Sequence, residues 1–310
     1  MYDVIGIGCC ALDIVLEAHR LPAPDEKLKA EQIRLQGGGL VATALVAVSR
    51  LGGCAAWIGS LGTEPLGEIA LRQLSEDGVD CSHVRRVEGQ SVLTAAVIAD
   101  SSSGCRSILW TDQTQPQTLP SQITPEIIGD TKVLHIDNFQ PEAALKAARI
   151  ARDLGRPVTV DLEPGGESPD RLLEVVDYAI VPRVFAENRY DKQDPEQLCQ
   201  LLYEEIEPNG AKAAVITDGD GGSWCYDGSA MARQPAYDVE VIDTTGCGDV
   251  YHGAFALSLA RGRDLEETLR FASATSALKC RQLGGRAGIP TREELERFLQ
   301  GNPPERTPQK

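Results

Sequence analysis

The stretch from Asp243 to Asp249 reads D-T-T-G-C-G-D, a composition that suits a catalytic turn. Gly246 and Gly248 flank the small Cys247, so several backbone N–H groups can turn toward one point where a helix begins. Such a point stabilises the negative charge that develops during phosphoryl or acyl transfer. Asp249 lies in the first turn of the predicted helix, where it can take a proton from a hydroxyl group held at that point. A carboxylate that only caps the helix is the alternative interpretation.

Two glycine-rich stretches near the N-terminus could bring the backbone close to a ligand. The first, Gly6-Ile-Gly8, ends a predicted strand, and Asp13 follows at the edge where open sheets bind ligands. A dinucleotide-binding fingerprint would need a helix directly after these glycines, but the residues that follow have an extended pattern. The second stretch, Gly37-Gly38-Gly39, precedes a segment with helical spacing and permits close approach of a ligand. For this triple glycine, a plain turn is the alternative.

A third glycine-rich loop follows the predicted strand that ends at Thr217. Its sequence from Asp218 to Gly222, D-G-D-G-G, suits a loop that packs against phosphates or ribose. Loops of this composition are also ordinary hairpin turns, so the residues alone leave both interpretations open.

The composition excludes several classes of function. The chain has 310 residues and a formal net charge of −16, which argues against a nucleic-acid or anionic-membrane partner. No apolar stretch approaches the ~20 residues that span a bilayer, and the N-terminal residues read as a strand rather than a signal peptide. The nine cysteines show neither C-x-x-C spacing nor zinc spacing with histidine. We therefore expect reduced thiols in a cytoplasmic protein.

Short apolar runs alternate with longer segments of helical spacing along most of the chain. The apolar runs include 4–8, 55–59, 133–136, 158–161, 178–181 and 214–217, and the helical segments include 42–51, 142–154 and 195–206. Continuously apolar strands are typical of a sheet covered on both faces, and strand–helix alternation favours parallel pairing. The sequence therefore predicts an α/β fold with a doubly wound, mostly parallel sheet and helices on both faces.

Two pairs of predicted strands interrupt this alternation, with no helix between the members of a pair. The first pair covers 12–19 and 27–35, and the second covers 91–99 and 106–110 around the turn Asp100–Gly104. We expect a small antiparallel β sheet that projects from the main domain as a lid over a cleft. The alternative is a dimerisation flap or an extension of the edge of the main sheet, and one sheet could be both a lid and a dimerisation surface.

This division predicts the domain organisation. Residues 1–11, 37–90 and 113–300 are expected to form the α/β domain, residues 12–36 and 91–112 the lid, and residues 301–310 a flexible tail. We also expect a homodimer that forms through the lid.

The turn at 243–249 resembles the D-T-x-G-A-G-D signature of the ribokinase, or PfkB, family of carbohydrate kinases. Asp13 is similar in position to the family's substrate-binding aspartate, and Gly37-Gly38-Gly39 with Arg50-Leu-Gly52 is similar to its upstream glycine signature. The loop at 217–222 is similar to the family's nucleotide-side loop. These motifs occur in the family's order along nearly the whole chain. The turn and the stretch 279–290 resemble the sulfofructose kinase branch most closely.

The resemblance implies an ATP-dependent kinase that phosphorylates a primary hydroxyl group of a sugar or sugar-like small molecule. It implies that Asp249 is the general base and that the backbone N–H groups of Gly246, Cys247 and Gly248 form an anion hole for the γ-phosphoryl group. Mg²⁺ would accompany ATP. The other implied roles are sugar binding by Asp13, Gly38, Gly39 and Asp249, nucleotide binding by Thr217, Gly219, Gly222, Gly246 and Gly248, and binding of a monovalent cation such as K⁺ by Asp243 and Thr245.

Three departures from the family pattern bear on these roles. Cys247 replaces the usual alanine, and its place at a helix N-terminus predicts a lowered pKa for the thiol. The asparagine expected in the glycine signature falls at Ala42, which removes one sugar contact. The family's N-x-x-E motif helps to place the water shell of Mg²⁺, but here Arg183 replaces the asparagine and Glu187 lies one position late. Arg183 could contact a phosphate instead.

Two alternative functions remain open at this point. A nucleoside kinase would place aromatic side chains on the lid to stack a base, and Trp110 is the candidate in a chain with 5% aromatic residues. A sugar- or nucleotide-binding homologue without catalysis would explain the altered N-x-x-E region. The intact Asp249 and its neighbouring glycines favour a kinase.

Overall fold

The computed structural model describes residues 1–100, 106–164 and 167–302. The strands are β1 (Tyr2–Ile7), β2 (Ala11–Ala18), β3 (Gln32–Gly38), β4 (Ala55–Gly62), β5 (Val84–Val87), β6 (Leu93–Asp100), β7 (Arg106–Thr111), β8 (Thr131–Asp137), β9 (Val158–Asp161), β10 (Tyr178–Pro182), β11 (Ala213–Thr217), β12 (Ser223–Tyr226) and β13 (Met231–Gln234). The helices are α1 (Leu40–Arg50), α2 (Pro65–Glu76), α3 (Pro125–Gly129), α4 (Pro141–Asp153), α5 (Pro169–Leu173), α6 (Arg183–Tyr190), α7 (Pro195–Ile206), α8 (Cys247–Ala260), α9 (Leu265–Lys279) and α10 (Arg292–Gly301). Short 3₁₀ turns cover Pro120–Gln122, Glu207–Asn209 and Gly219–Gly221.

Nine of the described strands form one large sheet in the order β13-β12-β11-β10-β9-β8-β1-β4-β5. The pairs from β11 to β5 are parallel, and β12 and β13 extend one edge with antiparallel pairs. The direction of strand order reverses at β1, which lies between β8 and β4. Ligands of open α/β sheets bind at the carboxyl ends of strands near such a reversal. The predicted doubly wound, mostly parallel sheet is confirmed.

Apolar layers cover both faces of this sheet. On one face, Val4 of β1 packs in a cluster with Phe255 of α8 and with residues of α1. On the other face, Ile5 of β1 packs in a cluster with Leu145 of α4 and Leu198 of α7. Val4 and Ile5 are adjacent in sequence and both fully buried, so side chains on either side of the strand are excluded from water. This double coverage explains why the strands read as continuous apolar runs.

The four remaining strands form a separate sheet, the lid sheet, in the order β3-β2-β6-β7. The outer pairs, β2 with β3 and β6 with β7, are antiparallel as predicted, and the central pair of β2 with β6 is parallel. Strand β3 begins at Gln32 rather than at Lys27, because its pairing with β2 starts opposite Glu17, next to the end of that strand. Most of the predicted turn Asp100–Gly104 lies outside the described residues.

No helix in the described part of the chain is long and apolar enough to cross a membrane. Helix α10 ends at Gly301, and most of the predicted flexible tail lies outside the described residues. The proposed limits of the α/β domain and the lid stay a prediction.

Candidate active site

Helix α8 begins inside the D-T-T-G-C-G-D turn. Gly246 precedes the helix in a left-handed conformation with φ 73°, and a Cβ there would lie 2.7 Å from the carbonyl oxygen of Gly285. A side chain at this position would therefore collide with backbone. After its first turn, α8 is buried from Val250 to Ser258. The core thus holds the N-terminus of α8 in a defined position and direction.

The first N–H groups of α8 are the candidate donors of the anion hole. The Cys247 N–H donates to Thr244 O at 3.2 Å, whereas the N–H groups of Gly246, Gly248 and Asp249 have no acceptor among the described residues. A Cβ added to Gly248 would meet no described atom within 4 Å, so this end of the helix faces open space. Unpaired N–H groups at a helix N-terminus favour a bound anion. The turn predicted as an anion hole therefore has suitable donors, but the Cys247 N–H points back into the turn.

Asp249 is half-buried in this first turn. Burial raises the pKa of its carboxyl group to about 7, and the charges of Glu163 and Asp13 act in the same direction. The positive charges of Lys279 and Arg286 oppose the shift. Since a general base works best with a pKa near the working pH, this carboxylate is suited to accept a proton at neutral pH. Asp249 is the acidic residue of the first turn of α8, whose N-cap residue, Gly246, has no side chain to cap the helix.

Asp13 lies on β2, and its carboxylate lies against Gly38 at the end of β3. A Cβ on Gly38 would lie 2.4 Å from Asp13 Oδ2, so the lack of a side chain there makes room for the carboxylate. Burial raises the pKa of Asp13 to about 6, against the opposing charge of Arg286. Gly39 precedes α1 with φ 88°, and a Cβ on it would lie 2.7 Å from the backbone at Ala11. The structure therefore brings Asp13 together with the glycines predicted to bind the sugar.

The side chain of Arg286 packs against the same glycines, Gly37 and Gly38. Its side chain is 3% exposed, with Nη2 donating to Gly38 O at 2.8 Å and Nη1 lying 3.8 Å from Asp77 Oδ2. A Cβ on Gly37 would lie 2.1 Å from the guanidinium, so that glycine is needed for the arginine to fit. Ala42, where the family pattern has asparagine, is fully buried in α1.

A cavity of about 810 Å³ opens beside the N-terminus of α8. Its lining includes Thr217, Gly219 and Gly222 of the third glycine-rich loop together with Cys247 and Gly248 of the turn. A cavity of this size is typical of small-molecule and cofactor sites. Gly222 has φ 94°, and a Cβ on it would lie 2.3 Å from a backbone oxygen of β13. The residues predicted to bind the nucleotide are therefore neighbours of those predicted to hold its phosphate.

Arg183 begins α6 and is already hydrogen-bonded through each nitrogen of its guanidinium. Nε donates to Glu187 Oε1 at 2.8 Å, Nη1 to Asp218 Oδ2 at 2.9 Å, and Nη2 to Gln193 O at 2.8 Å. The arginine thus ties α6 to the loop that follows Thr217. These contacts argue against the phosphate contact considered for Arg183 and leave Glu187 engaged with the arginine.

The thiols of Cys247 and Cys280 meet in the wall of the cavity, with their sulfur atoms 2.6 Å apart. The contact with Cys280, followed by burial, raises the pKa of Cys247 far above its ordinary value. The predicted lowering of the Cys247 pKa is therefore wrong, because these two effects outweigh the helix N-terminus. The same contact lowers the pKa of Cys280 to about 7, against the effect of burial and with help from the charge of Lys279.

Asp243 and Thr245, predicted to bind a monovalent cation, contact each other directly. Asp243 Oδ1 accepts hydrogen bonds from Thr245 N at 2.8 Å and from Thr245 Oγ1 at 2.7 Å. Asp243 Oδ2 accepts one from Gly284 N at 2.7 Å. Across residues 1–100, 106–164 and 167–302, no group of three or more His, Cys, Asp or Glu side chains is placed to hold a metal ion.

Four residues of this site were missed by sequence reasoning: Glu163, Lys279, Cys280 and Arg286. Glu163 could have been found from its place just after β9, because functional side chains of an α/β sheet follow the carboxyl ends of its strands. The other three lie in the segment 279–288, which packs against the turn at 243–249. The sequence pattern that could have indicated this segment is a pair of glycines among polar residues, directly after a helix.

Comparison with known proteins places the chain in a family. The model of the pfkB family carbohydrate kinases matches residues 1–292. The chain is 30% identical to the ATP-dependent ribose-1-phosphate kinase of Halopiger xanaduensis over 308 residues, which cover 96% of this chain and 98% of that protein. A solved structure from Agrobacterium tumefaciens, provisionally a ribokinase, has a TM-score of 0.89 at 28% identity and covers 97% of this chain and 98% of its own.

A second solved structure supports the fold. A provisional ribokinase II of E. coli, solved with ATP and Mg²⁺, has a TM-score of 0.82 at 23% identity and covers 97% of this chain and 100% of its own. The matched family region contains Asp13, the glycine-rich stretches, the turn at 243–249 and Arg286. The chain belongs to the pfkB family of carbohydrate kinases and is an ATP-dependent kinase of the ribokinase type.

Proposed function

We propose that this kinase transfers the γ-phosphoryl group of ATP to a primary hydroxyl group of a sugar or sugar-like small molecule, with Asp249 as the general base. The convergence of two carboxylates at one helix N-terminus carries the proposal. Asp249 lies in the first turn of α8, and Asp13 is close enough for its charge to raise the pKa of Asp249. A sugar held through its hydroxyl groups by Asp13 would present a further hydroxyl group to Asp249.

The proposed reaction is a single displacement at the γ-phosphorus. The hydroxyl oxygen forms a bond to the γ-phosphorus while the bond from that phosphorus to the β–γ bridging oxygen breaks, and ADP leaves. Asp249 accepts the hydroxyl proton. The N–H groups of Gly246, Gly248 and Asp249, which lack acceptors among the described residues, would donate to the oxygens of the migrating group. The Cys247 N–H would join them on release from Thr244 O.

The cavity beside α8 is the proposed site of ATP. Thr217, Gly219 and Gly222 would contact the nucleotide, and Gly246 and Gly248 would contact its phosphates. The two glycines of the third loop suit this role because they let the backbone approach a ligand closely. The ion pair between Asp218, the first residue of the loop, and Arg183 of α6 holds the loop in place.

The residues present fit Mg²⁺ as the companion of ATP. The charge of Glu163 raises the pKa of Asp249, so a dication near both carboxylates would relieve their repulsion. Mg²⁺ prefers carboxylate oxygens, water and substrate phosphates, and all three would be at hand here. When bound, it would neutralise charge on the ATP phosphates. Glu187 does not fit this role, because Arg183 already holds it.

The substrate is tested by measuring ATP consumption over a panel of sugars, sugar phosphates, sulfosugars and nucleosides. Ribose 1-phosphate belongs in the panel because of the Halopiger xanaduensis relative, and sulfofructose because of the motif resemblance. We expect the highest kcat/KM for a sugar or sugar-like compound and a product phosphorylated on its primary hydroxyl group. If ATP analogues bind but no compound is phosphorylated, the protein is a binding homologue and the proposal is wrong.

A nucleoside kinase is the second candidate, and one contact favours it. Trp110 of β7 is 54% exposed and lies edge-on to Phe139, with 6.1 Å between the ring centroids. These rings join the lid sheet to the loop after β8 and could stack a base. A preference for nucleosides that is lost in Trp110→Ala would establish this alternative.

We further propose that the lid sheet closes over the sugar and forms a homodimer interface. One face of the lid sheet has three exposed apolar side chains, Ile33, Leu35 and Leu109. The pairing register from β3 across β2 and β6 to β7 places all three on that face. An apolar face of this kind is typical of a surface covered in solution. Light scattering is expected to give twice the chain mass, and Leu109→Glu is expected to give the monomer mass. We place the enzyme in the cytoplasm, where ATP and reduced thiols are found.

A further inference from the structure

Lys279, the last residue of α9, has a relative exposure of 0%. Lysine is almost never fully buried unless its charge is paired. The described residues offer its ammonium group one hydrogen bond, from Nζ to the backbone oxygen of Asp243 at 3.0 Å. A buried cation is costly unless negative charges lie near it, and the carboxylates of Asp243 and Asp249 are close enough for the charge of Lys279 to lower their pKa values. The position of Lys279 therefore calls for a functional explanation.

The charge of Lys279 acts on the turn at 243–249, which is the proposed catalytic turn. Burial alone would raise the pKa of Asp243, but hydrogen bonds from Thr245 and Gly284 and the charge of Lys279 lower it. Burial is the main cause of the raised pKa of Asp249, and Lys279 is the largest of the opposing charges. Lys279 is not among the residues that line the cavity. Its ammonium group therefore contacts the turn through the backbone oxygen of Asp243 and is not part of the cavity wall.

A monovalent metal ion does not fit the same place. Such an ion needs several oxygen ligands with free lone pairs, but Asp243 Oδ1 already accepts two hydrogen bonds from Thr245 and Oδ2 accepts one from Gly284, so the carboxylate has little acceptor capacity left. The backbone oxygen of Asp243 accepts from Lys279 Nζ. A K⁺ ion there would also face an ammonium group of like charge. The expectation of K⁺ at Asp243 and Thr245 is therefore not supported by these residues.

We propose that the ammonium group of Lys279 is the fixed cation of the catalytic turn and replaces a monovalent metal ion. This inference rests on the proposed phosphoryl transfer. The ammonium group holds the carbonyl oxygen of Asp243 and places a full positive charge beside the turn. Charge that develops on the migrating phosphoryl group would compensate the buried cation, so the turn would stabilise the transition state more than an uncharged turn would. Lys279 is thus a positioning residue that acts through the turn.

The first test uses the wild-type protein and requires no knowledge of the substrate. The thermal unfolding midpoint and the affinity for a non-hydrolysable ATP analogue with Mg²⁺ are measured with tetramethylammonium, Na⁺ or K⁺ at matched ionic strength. We expect the same midpoint and the same affinity in all three salts. An increase that is selective for K⁺ would overturn the inference, because it would reveal a metal-ion site. These measurements stay informative even if no sugar is phosphorylated, so they separate this inference from the proposed function.

The second test removes the charge. Lys279→Met keeps an unbranched side chain, and we expect turnover to fall about tenfold to hundredfold because electrostatic support of the transition state is lost. Lys146→Met is the matched control, since Lys146 is exposed and donates to a backbone carbonyl oxygen, that of Pro120, at 2.7 Å. This control is expected to keep wild-type turnover. Circular dichroism and the unfolding midpoint establish that each variant folds. Unchanged turnover in a folded Lys279→Met protein would overturn the inference.

The third test restores the charge. Lys279→Ala leaves space where the ammonium group was, so K⁺ or methylammonium is expected to recover part of the lost turnover. The same cations are expected to leave Lys279→Met unchanged, because the methionine side chain fills that space. A merely structural role for Lys279 would show no recovery by a cation, and an impaired Lys279→Ala protein without recovery would contradict the replacement of a metal ion.

Discussion

The sulfur atoms of Cys247 and Cys280 lie 2.6 Å apart, where the catalytic turn meets the end of α9. Both residues line the cavity proposed for ATP, so a group attached to either sulfur would occupy space that the nucleotide needs. Their contact lowers the pKa of Cys280 to about 7 and raises that of Cys247. Because the thiolate is the reactive form of cysteine, alkylation should begin at Cys280.

Iodoacetamide at neutral pH is therefore expected to inactivate the enzyme through Cys280, and bound ATP is expected to protect it. Peptide mass spectrometry during inactivation would identify the modified residue. Cys280→Ser should resist inactivation, and Cys247→Ala should remain active but react more slowly, because the contact that lowers the Cys280 pKa is gone. The exposed Cys54 serves as an internal control that is labelled without loss of activity. Inactivation that persists in Cys280→Ser would place the sensitive thiol elsewhere.

Gly38→Ala should weaken sugar binding more than ATP binding. The added Cβ would lie 2.4 Å from Asp13 Oδ2, so the carboxylate must move from the place where it is proposed to hold the sugar. We expect KM for the sugar to rise about tenfold, a cost typical of a lost hydrogen bond to a charged group, with KM for ATP unchanged. Gly129→Ala in α3 is the control, because its Cβ would make an ordinary 3.5 Å contact with the side chain of Leu154. Equal changes in both KM values would argue against sugar binding by Asp13.

The lid sheet should exchange its amide hydrogens more slowly when the sugar and a non-hydrolysable ATP analogue are both bound. Its strands lie at 11–18, 32–38, 93–100 and 106–111, and the contact of Trp110 with Phe139 joins it to the main domain. Closure over a bound sugar would shield these strands from water. Hydrogen exchange followed by mass spectrometry gives the measurement. If β3 and β7 are already fully protected without ligand, the sheet is a fixed interface rather than a gate.

The elements that the sequence predicted best are those with local signals. Strand β9 was predicted at 158–161 and α7 at 195–206, as observed. The start of α7 has a clear local signal, because Pro195 follows Asp194, whose side chain caps the helix by accepting a hydrogen bond from Glu196 N. Strand β3 was predicted to start too early, since its first residue depends on pairing with β2. Strands β12 and β13 were not predicted, because each has only four residues and neither contains a long apolar run.

The residues of the candidate site also differ in how well the sequence predicts them, depending on whether they are contiguous in the chain. The turn at 243–249 is contiguous, so its glycines and aspartates could be recognised together. Lys279, Cys280 and Arg286 reach the site through tertiary packing, in which Cys280 O accepts hydrogen bonds from the backbone at 242 and 243 at 2.8 and 3.1 Å. The same packing reversed the expectation for the Cys247 thiol. A sequence pattern contains no distance between these segments.

The pH dependence of kcat/KM should show an acidic limb near pH 7. Burial, followed by the charge of Glu163, raises the pKa of Asp249 to about 7. Because only the ionised carboxylate accepts a proton, activity should rise with pH through that value and level off above it. Glu163→Gln removes one raising charge, so its limb should shift to lower pH, whereas Glu126→Gln, which alters an exposed side chain of α3, should leave it unchanged. A limb that Glu163→Gln does not shift would mean that another group controls the profile.

The most direct test of the mechanism is the turnover of Asp249→Asn. The substitution keeps the size of the side chain but removes its ability to accept the hydroxyl proton. We expect turnover to fall by about 10²–10⁴, with the acidic limb absent from the remaining activity and with unchanged affinity for an ATP analogue and unchanged thermal unfolding. Near-normal turnover in this variant would contradict the assignment of Asp249 as the general base.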